Sequence, residues 1–396
     1  MESVNYLGIR VWISRLVVVE SDWKMYLSPP VASEADIQAV VQALRAGWLA
    51  PVGPELTRFE DAIAEYLGVK AAVALNSGSA AIHLALRYLG VRPGDAVLVP
   101  SVTFAATAFP VTYEGGTPLF VDIDDSWNMD PEAAEAALQS CAEEGIRVAA
   151  AIPVDLYGTP ADYARLLPLF EKWGVPVVAD SAESLGSRSQ LGMCGSFGRA
   201  GILSFNGNKI MTTSGGGMLV SNDADLAATI RKWSTQSREE RPWYEHKEVG
   251  FNYRLSNVLA ALGVSQLSRI EEVVAHRRRI REWYREALAD VEGLSIQHDP
   301  PWGKSNAWLT VARIGGDLYR DGASAVRLHL AQRGIEARHV WKPLHQQPVF
   351  AGAPTFLSGQ ADKLFEEGIC LPSGTAMEHT DVEQVAGFVT RALKSQ

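Results

Sequence analysis

Residues 71–89 read Ala-Ala-Val-Ala-Leu-Asn-Ser-Gly-Ser-Ala-Ala-Ile-His-Leu-Ala-Leu-Arg-Tyr-Leu. Ala71–Leu75 contains no polar residue, which suits a short strand covered on both faces. Asn76-Ser77-Gly78-Ser79 interrupts the run, and from Ala80 to Leu89 only His83 and Arg87 are polar. A helix that apolar all round is buried. Its N-terminus therefore points into the protein at the end of the strand. Unpaired N–H groups, serine hydroxyls and the positive end of the helix dipole make an anion cup of that turn. An ordinary Ser/Gly cap gives the same local pattern, so other features must decide.

The same alternation extends on both sides. Ser33 is placed to cap a helix running to Ala46, and Leu56–Leu67 is an amphipathic helix stopped by Gly68. Further apolar strands are predicted at 96–99, 119–122, 148–153, 175–179, 201–205 and 217–220. Helices are expected near 79–89, 103–113, 130–143 and 161–173. Apolar strands separated by helices imply an α/β fold with a mainly parallel sheet. Beyond Arg254 the spacing predicts one long helical stretch to about Asp290. Its basic run His276–Arg281 reads as a solvated face. Strands near 306–313 and 335–340 and a closing helix near 380–393 complete a smaller α/β domain. The expected division is a peripheral extension over 1–25, with Met25 a candidate natural start, a large domain over 26–265, and the long helix with the small domain over 266–396.

The chain has 396 residues, 47% hydrophobic and 21% charged, with a net charge of −10. That length exceeds what a single core usually fills. An acidic chain repels phosphate backbones, so nucleic acid is not an expected partner. Cys141, Cys194 and Cys370 are too few and too scattered for a disulfide framework or a zinc knuckle. Reduced thiols in a cytoplasmic protein without a metal are expected. The apolar stretch Val11–Val19 is broken by Arg15 and is too short to span a bilayer, so no membrane association is expected.

Three more stretches carry chemistry. Val177-Val178-Ala179-Asp180-Ser181-Ala182-Glu183 ends an apolar strand on a carboxylate, where open α/β sheets place ligand groups. Asp180 there could bind a protonated ring nitrogen or cap a following helix. Ser204-Phe205-Asn206-Gly207-Asn208-Lys209 and Thr212-Thr213-Ser214-Gly215-Gly216-Gly217 set a lysine among glycines and hydroxyls between two apolar strands. A lysine whose amine is neutral forms Schiff bases, and glycines permit close backbone approach. Gly250-Phe251-Asn252-Tyr253-Arg254 precedes the long helix and offers Asn252 and Arg254 to a phosphate or a substrate.

These stretches, with Pro100-Ser101-Val102-Thr103-Phe104-Ala105-Ala106-Thr107, follow one another as in the fold-type I enzymes that use pyridoxal 5′-phosphate (PLP). The chain resembles the sugar aminotransferases of the DegT/DnrJ/EryC1/StrS family from about Tyr26 to its C-terminus. The resemblance implies that Lys209 binds PLP covalently and then shuttles protons. Asp180 would pair with the pyridine nitrogen, Phe104 would stack on the ring, and Gly78, Ser79 and Ser204 would hold the phosphate. Glu183 would lie near the ring or its phenolic oxygen. Asn252 implies a phosphate contact made from a neighbouring subunit, hence a homodimer with shared sites.

A sub-branch with histidine at the lysine position removes a sugar hydroxyl; the intact Lys209 favours transamination. The family mostly aminates keto groups of nucleotide-linked sugars with glutamate or glutamine as donor. The stretch from His339 to Phe350 and Asn206-Gly207-Asn208 are similar to members acting at C-4 of a dTDP- or UDP-4-keto-6-deoxyhexose. Arg254, Trp341, Lys342 and His345 are the candidate substrate residues, with wall packing or an exposed rim as the alternative role for the last three. Amination at C-3, a keto-inositol substrate, an aminobenzoate-forming activity and a non-catalytic PLP-binding module are the competing readings.

Overall fold

A computed structural model describes residues 23–395, together with the backbone of two paired strands, Ser3–Tyr6 and Ile9–Trp12. The rest of the 1–25 extension lies outside the described residues. Ser33 caps helix α1 (Glu34–Arg45) in a reciprocal arrangement, its hydroxyl accepting from Asp36 N–H and the Asp36 carboxylate accepting from Ser33 N–H. Helix α2 (Pro54–Leu67) ends at Gly68, whose φ of 68° is the left-handed conformation that glycine adopts without strain.

The central sheet is built from β1 (Ala71–Leu75), β2 (Ala96–Pro100), β3 (Thr117–Val121), β4 (Val148–Ala151), β5 (Val178–Asp180), β6 (Ala200–Ser204) and β7 (Gly217–Ser221). Its spatial order is β1-β7-β6-β5-β4-β2-β3, with β5 joined to β4 through the parallel bridges Ala151–Val177 and Val154–Asp180. Strand β7 runs antiparallel to both neighbours and the other pairs are parallel, so the sheet is mainly parallel. Thr355–Phe356 extends the β3 edge. Helix α3 (Gly78–Tyr88), α4 (Pro131–Glu144), α5 (Tyr163–Lys172) and α6 (Ala224–Ser234) cover the sheet. Ala80 through Leu86 of α3 are all buried, as its composition requires.

Three local expectations are corrected. The helix expected over 103–113 is a 3-10 turn at Ala105–Thr107 followed by a short helix, Phe109–Tyr113, with Pro110 in its first turn. The stretch beyond Arg254 is two helices, α7 (Asn257–Leu267) and α8 (Ile270–Ala287), interrupted at Ser268-Arg269. The basic run in α8 is not a solvated face, because Arg277 and Arg281 are buried. The C-terminal sheet pairs β8 (Leu294–Ile296), β9 (Thr310–Ile314), β10 (Arg338–His339) and β11 (Gly368–Leu371) in the order β8-β9-β11-β10, all antiparallel. It packs with α8, α9 (Gly322–Ala331) and α11 (His379–Lys394) in one apolar cluster. The helix Gln360–Glu367 (α10) precedes β11.

Candidate active site

Strands β1, β2, β5 and β6 end on one edge of the sheet, and there the loops enclose a cleft of about 290 Å³. Because β7 is antiparallel, its start and not its end falls on the same edge, which brings Gly215 and Gly216 to the cleft. Ligand groups gather at such carboxyl ends in open α/β sheets. Of the predicted residues, Gly78, Ser79, Phe104, Asp180, Glu183, Ser204, Lys209 and Trp341 line the cleft.

The turn expected to make an anion cup lies at the start of α3 and lines the cleft. Ser77 is the N-cap of α3, its hydroxyl accepting from Ala80 N–H at 3.1 Å. The first N–H groups of such a turn have no intrahelical partner and face outward. A Cβ on Gly217 would stand 2.3 Å from Gly78 N, so only glycine lets β7 press against the cup. A Cβ on Gly216 would stand 2.3 Å from the Thr213 hydroxyl.

Asp180 is buried at the end of β5. Its Oδ2 accepts from the Thr107 hydroxyl at 2.7 Å and its Oδ1 from Ala182 N–H at 3.2 Å. Desolvation pushes this carboxyl up to about 6, against the pull of those two hydrogen bonds and of Lys209. No helix follows it, so it is not a cap. A buried carboxylate this reluctant to ionise is suited to a cationic partner, as a protonated ring nitrogen would be.

Lys209 Nζ lies 3.3 Å from Glu183 Oε1 and 4.0 Å from the centre of the Trp308 ring. Phe104, 54% exposed, stands over the cleft with its ring 5.4 Å from that of Trp341. Cup, aromatic face, buried carboxylate and amine thus converge, and together they fit PLP. Among the described residues no cluster of His, Cys, Asp and Glu suits a metal ion. No helix there is long and apolar enough to cross a membrane.

The remaining candidates stand apart from the cleft lining. Arg254 is tied to the Glu60 carboxylate and to Ala74 C=O at 2.7 Å, so its charge is spent on the fold. His345 is held between the Ser101 hydroxyl at 2.6 Å and the Asp362 carboxylate at 3.0 Å. Lys342 and Asn252 are exposed.

The structure adds Thr107, Tyr157 and Trp308, which single-residue reading of the sequence passes over. Tyr157 is buried with φ of 53°, a conformation that costs an aromatic residue free energy. In that pose its N–H donates to Glu183 Oε2 at 2.7 Å and its hydroxyl accepts from Trp341 N–H at 2.8 Å. Its ring stacks against Trp308 and Trp341, with centroids at 6.4 and 6.1 Å. Tyr157→Phe is expected to leave the Trp341 N–H unpaired, to lower stability by about 1–3 kcal/mol, and to raise KM more than it lowers kcat. Thermal unfolding and steady-state kinetics check this.

The profile of the DegT/DnrJ/EryC1/StrS aminotransferase family matches residues 30–390. The chain belongs to this family. EpsN of Bacillus subtilis, named a pyridoxal phosphate-dependent aminotransferase, is 46% identical over 91% of this chain and 93% of its own length. The GDP-perosamine synthase of Caulobacter vibrioides is 36% identical over 89% of this chain and 94% of its own. The UDP-4-amino-4-deoxy-L-arabinose–oxoglutarate aminotransferase of Shewanella sediminis is 30% identical over 93% and 97%. The PLP form of the sugar aminotransferase Spr1654 from Streptococcus pneumoniae superposes with a TM-score of 0.86 at 27% identity, covering 95% of this chain and 99% of that one. This member of the family is accordingly a fold-type I, PLP-dependent aminotransferase.

Proposed function

We propose that the enzyme moves an amino group from glutamate, or glutamine, to the keto carbon of a nucleotide-linked sugar, at C-4 of a dTDP- or UDP-4-keto-6-deoxyhexose. The observation that carries this reading is Lys209 Nζ facing the cleft between Glu183 and Trp308, opposite a buried Asp180. Relatives whose names carry GDP- and UDP-linked amino sugars, one with a 4-amino group and oxoglutarate, support the substrate class.

PLP supplies an electron sink that stabilises negative charge at the carbon bearing the transferred nitrogen. The chain does the rest. The Ser77–Ser79 turn and Ser204 hold the phosphate end. Asp180 keeps the ring nitrogen protonated. Phe104 covers the ring face, and Lys209 Nζ carries the proton, with Glu183 and the Trp308 ring limiting where it travels. Trp341 walls the side on which the sugar enters, and Lys342, exposed beyond it, suits a pyrophosphate.

The test is incubation of purified protein with glutamate and dTDP-, UDP- or GDP-linked 4-keto-6-deoxyglucose. The position of the new amine is then read by mass spectrometry and NMR. Amine at C-4 is expected. Amine from none of these 4-keto sugars, or formed only when a nucleotide-linked 3-keto-6-deoxyhexose is supplied instead, would replace this substrate assignment.

We further propose a homodimer with shared sites. Asn252 is exposed and outside the cleft lining, and Trp243, Tyr244 and Val249 before it are 59%, 78% and 69% exposed. Large apolar side chains gathered along one exposed segment suit burial against a second copy. Lys209→Ala and Asn252→Ala proteins, each nearly inactive, are expected to regain activity when mixed. Random heterodimers of a shared-site enzyme put both lesions in one site and leave the other intact. Demonstrated subunit exchange without recovery would assign Asn252 to its own chain.

A further inference from the structure

Arg277 is 2% exposed, in the middle of α8, and forms no ion pair among the described residues. All its partners are neutral. Nε donates to the Thr375 hydroxyl at 3.0 Å, Nη1 to Trp308 C=O at 3.2 Å and to Ser373 C=O, and Nη2 to the Ser28 hydroxyl at 3.0 Å. Burial with no carboxylate to offset it pulls the guanidinium down to about 9, still charged at neutral pH. A buried cation without a counter-charge is an expensive way to fill space, and an apolar side chain of similar volume packs there at lower electrostatic cost.

Two of these hydrogen bonds lead to the residue next to Lys209. The Ser28 hydroxyl, which accepts from Arg277, donates its own hydrogen to Asn208 C=O at 3.0 Å. Trp308, whose carbonyl Arg277 holds, donates Nε1–H to the same Asn208 carbonyl at 2.7 Å. The ring of Trp308 then lies 4.0 Å from Lys209 Nζ. One guanidinium therefore fixes both the backbone on which Lys209 stands and the aromatic surface against which its amine rests.

We infer that Arg277 is the positioning residue of the lysine loop, acting through Ser28 and Trp308 to hold the Lys209 amine toward the cleft. The inference rests on the assignment of Lys209 made above. It also explains a basic residue inside the core that the charge pattern alone places on the surface.

The test mixes cofactor-free protein with PLP and follows, by visible absorbance, the rate at which Lys209 captures it covalently. Affinity for 4′-deoxypyridoxine 5′-phosphate, which has no aldehyde, measures the phosphate cup and ring contacts alone. Arg277→Met is expected to slow capture by about tenfold or more, and Ser28→Ala by about threefold to tenfold, with analogue affinity within about twofold of wild type. Arg277→Lys, which keeps the charge but not the fan of donors, falls between wild type and Arg277→Met.

Should Arg277→Met fail to fold, Ser28→Ala carries the test, since it removes one hydroxyl and no charge. A lowered melting temperature with wild-type capture rates in Ser28→Ala and Arg277→Lys would reduce Arg277 to a structural residue. Capture with unchanged absorbance in Lys209→Ala would instead overturn the assignment of Lys209.

Discussion

Lys209→Ala is expected to lower turnover by about 10⁴-fold or more while leaving the fold in place. Lys209 is the only lysine among the residues lining the cleft, so no neighbouring amine stands ready to take over its proton transfers. The structural loss is small. Glu183 keeps the Tyr157 N–H at 2.7 Å, and Trp308 keeps its bond to Asn208 C=O. What disappears is a cation beside the Glu183 carboxylate, at a cost of about 1–3 kcal/mol. Lys209→Arg separates the two roles, because a guanidinium restores the charge but cannot form the covalent link. It is expected to recover thermal stability without recovering turnover. PLP should remain bound to the Ala variant through the cup and Asp180, but leave on dialysis. Turnover within tenfold of wild type in either variant would remove Lys209 from the chemistry.

The elements that hold the site were legible because each is local. Ala71–Leu75 is apolar for its whole length, the turn after it carries Ser-Gly-Ser, and α3 shows almost no polar face, so strand, cup and burial follow from nineteen consecutive residues. Asp180 and Lys209 were legible for the same reason, each ending or following an apolar strand. Residues whose role depends on distant partners were not. Arg254 looks available for a ligand until Glu60, 194 residues earlier, is seen to hold it. The basic run in α8 implies a wet surface, whereas the partners that bury Arg277 are carbonyls and hydroxyls up to 249 residues away. Tyr157 gives no warning in sequence of its left-handed backbone, since the contacts that stabilise it come from Glu183, Trp308 and Trp341. Periodicity also missed the break at Ser268-Arg269, because both flanking segments are helical and neither proline nor glycine separates them.

Asp180→Asn is expected to move stability and activity in opposite directions. The carboxyl of Asp180 is held near 6 by desolvation, above its ordinary value of 3.8. A carboxyl whose pKa rises on folding binds its proton more tightly in the native state, so its ionised form destabilises the fold. That penalty is complete above about pH 6 and fades as pH falls toward 3.8. An amide of the same shape can still accept from Ala182 N–H through its oxygen, while its NH2 group donates to the Thr107 hydroxyl, which is free to turn its own hydrogen to Thr103, and it carries no charge into the core. Cofactor-free Asp180→Asn protein is therefore expected to be more stable than wild type by about 1–3 kcal/mol at pH 7–8, with the difference shrinking toward pH 4. Catalysis loses what stability gains. With Asp180 in its proposed role, the variant would leave the ring nitrogen without an anion to hold its proton, and kcat is expected to fall by about 10²–10³. PLP should correspondingly raise the melting temperature of wild type more than that of the variant, because only the carboxylate gains from a cationic neighbour. Paired measurements of unfolding with and without PLP across pH 4–8, together with kcat, check all three statements. If the variant is no more stable at pH 8 and keeps its kcat, Asp180 serves only as the acceptor for Thr107 and Ala182, and the proton on the ring nitrogen must be held by another group.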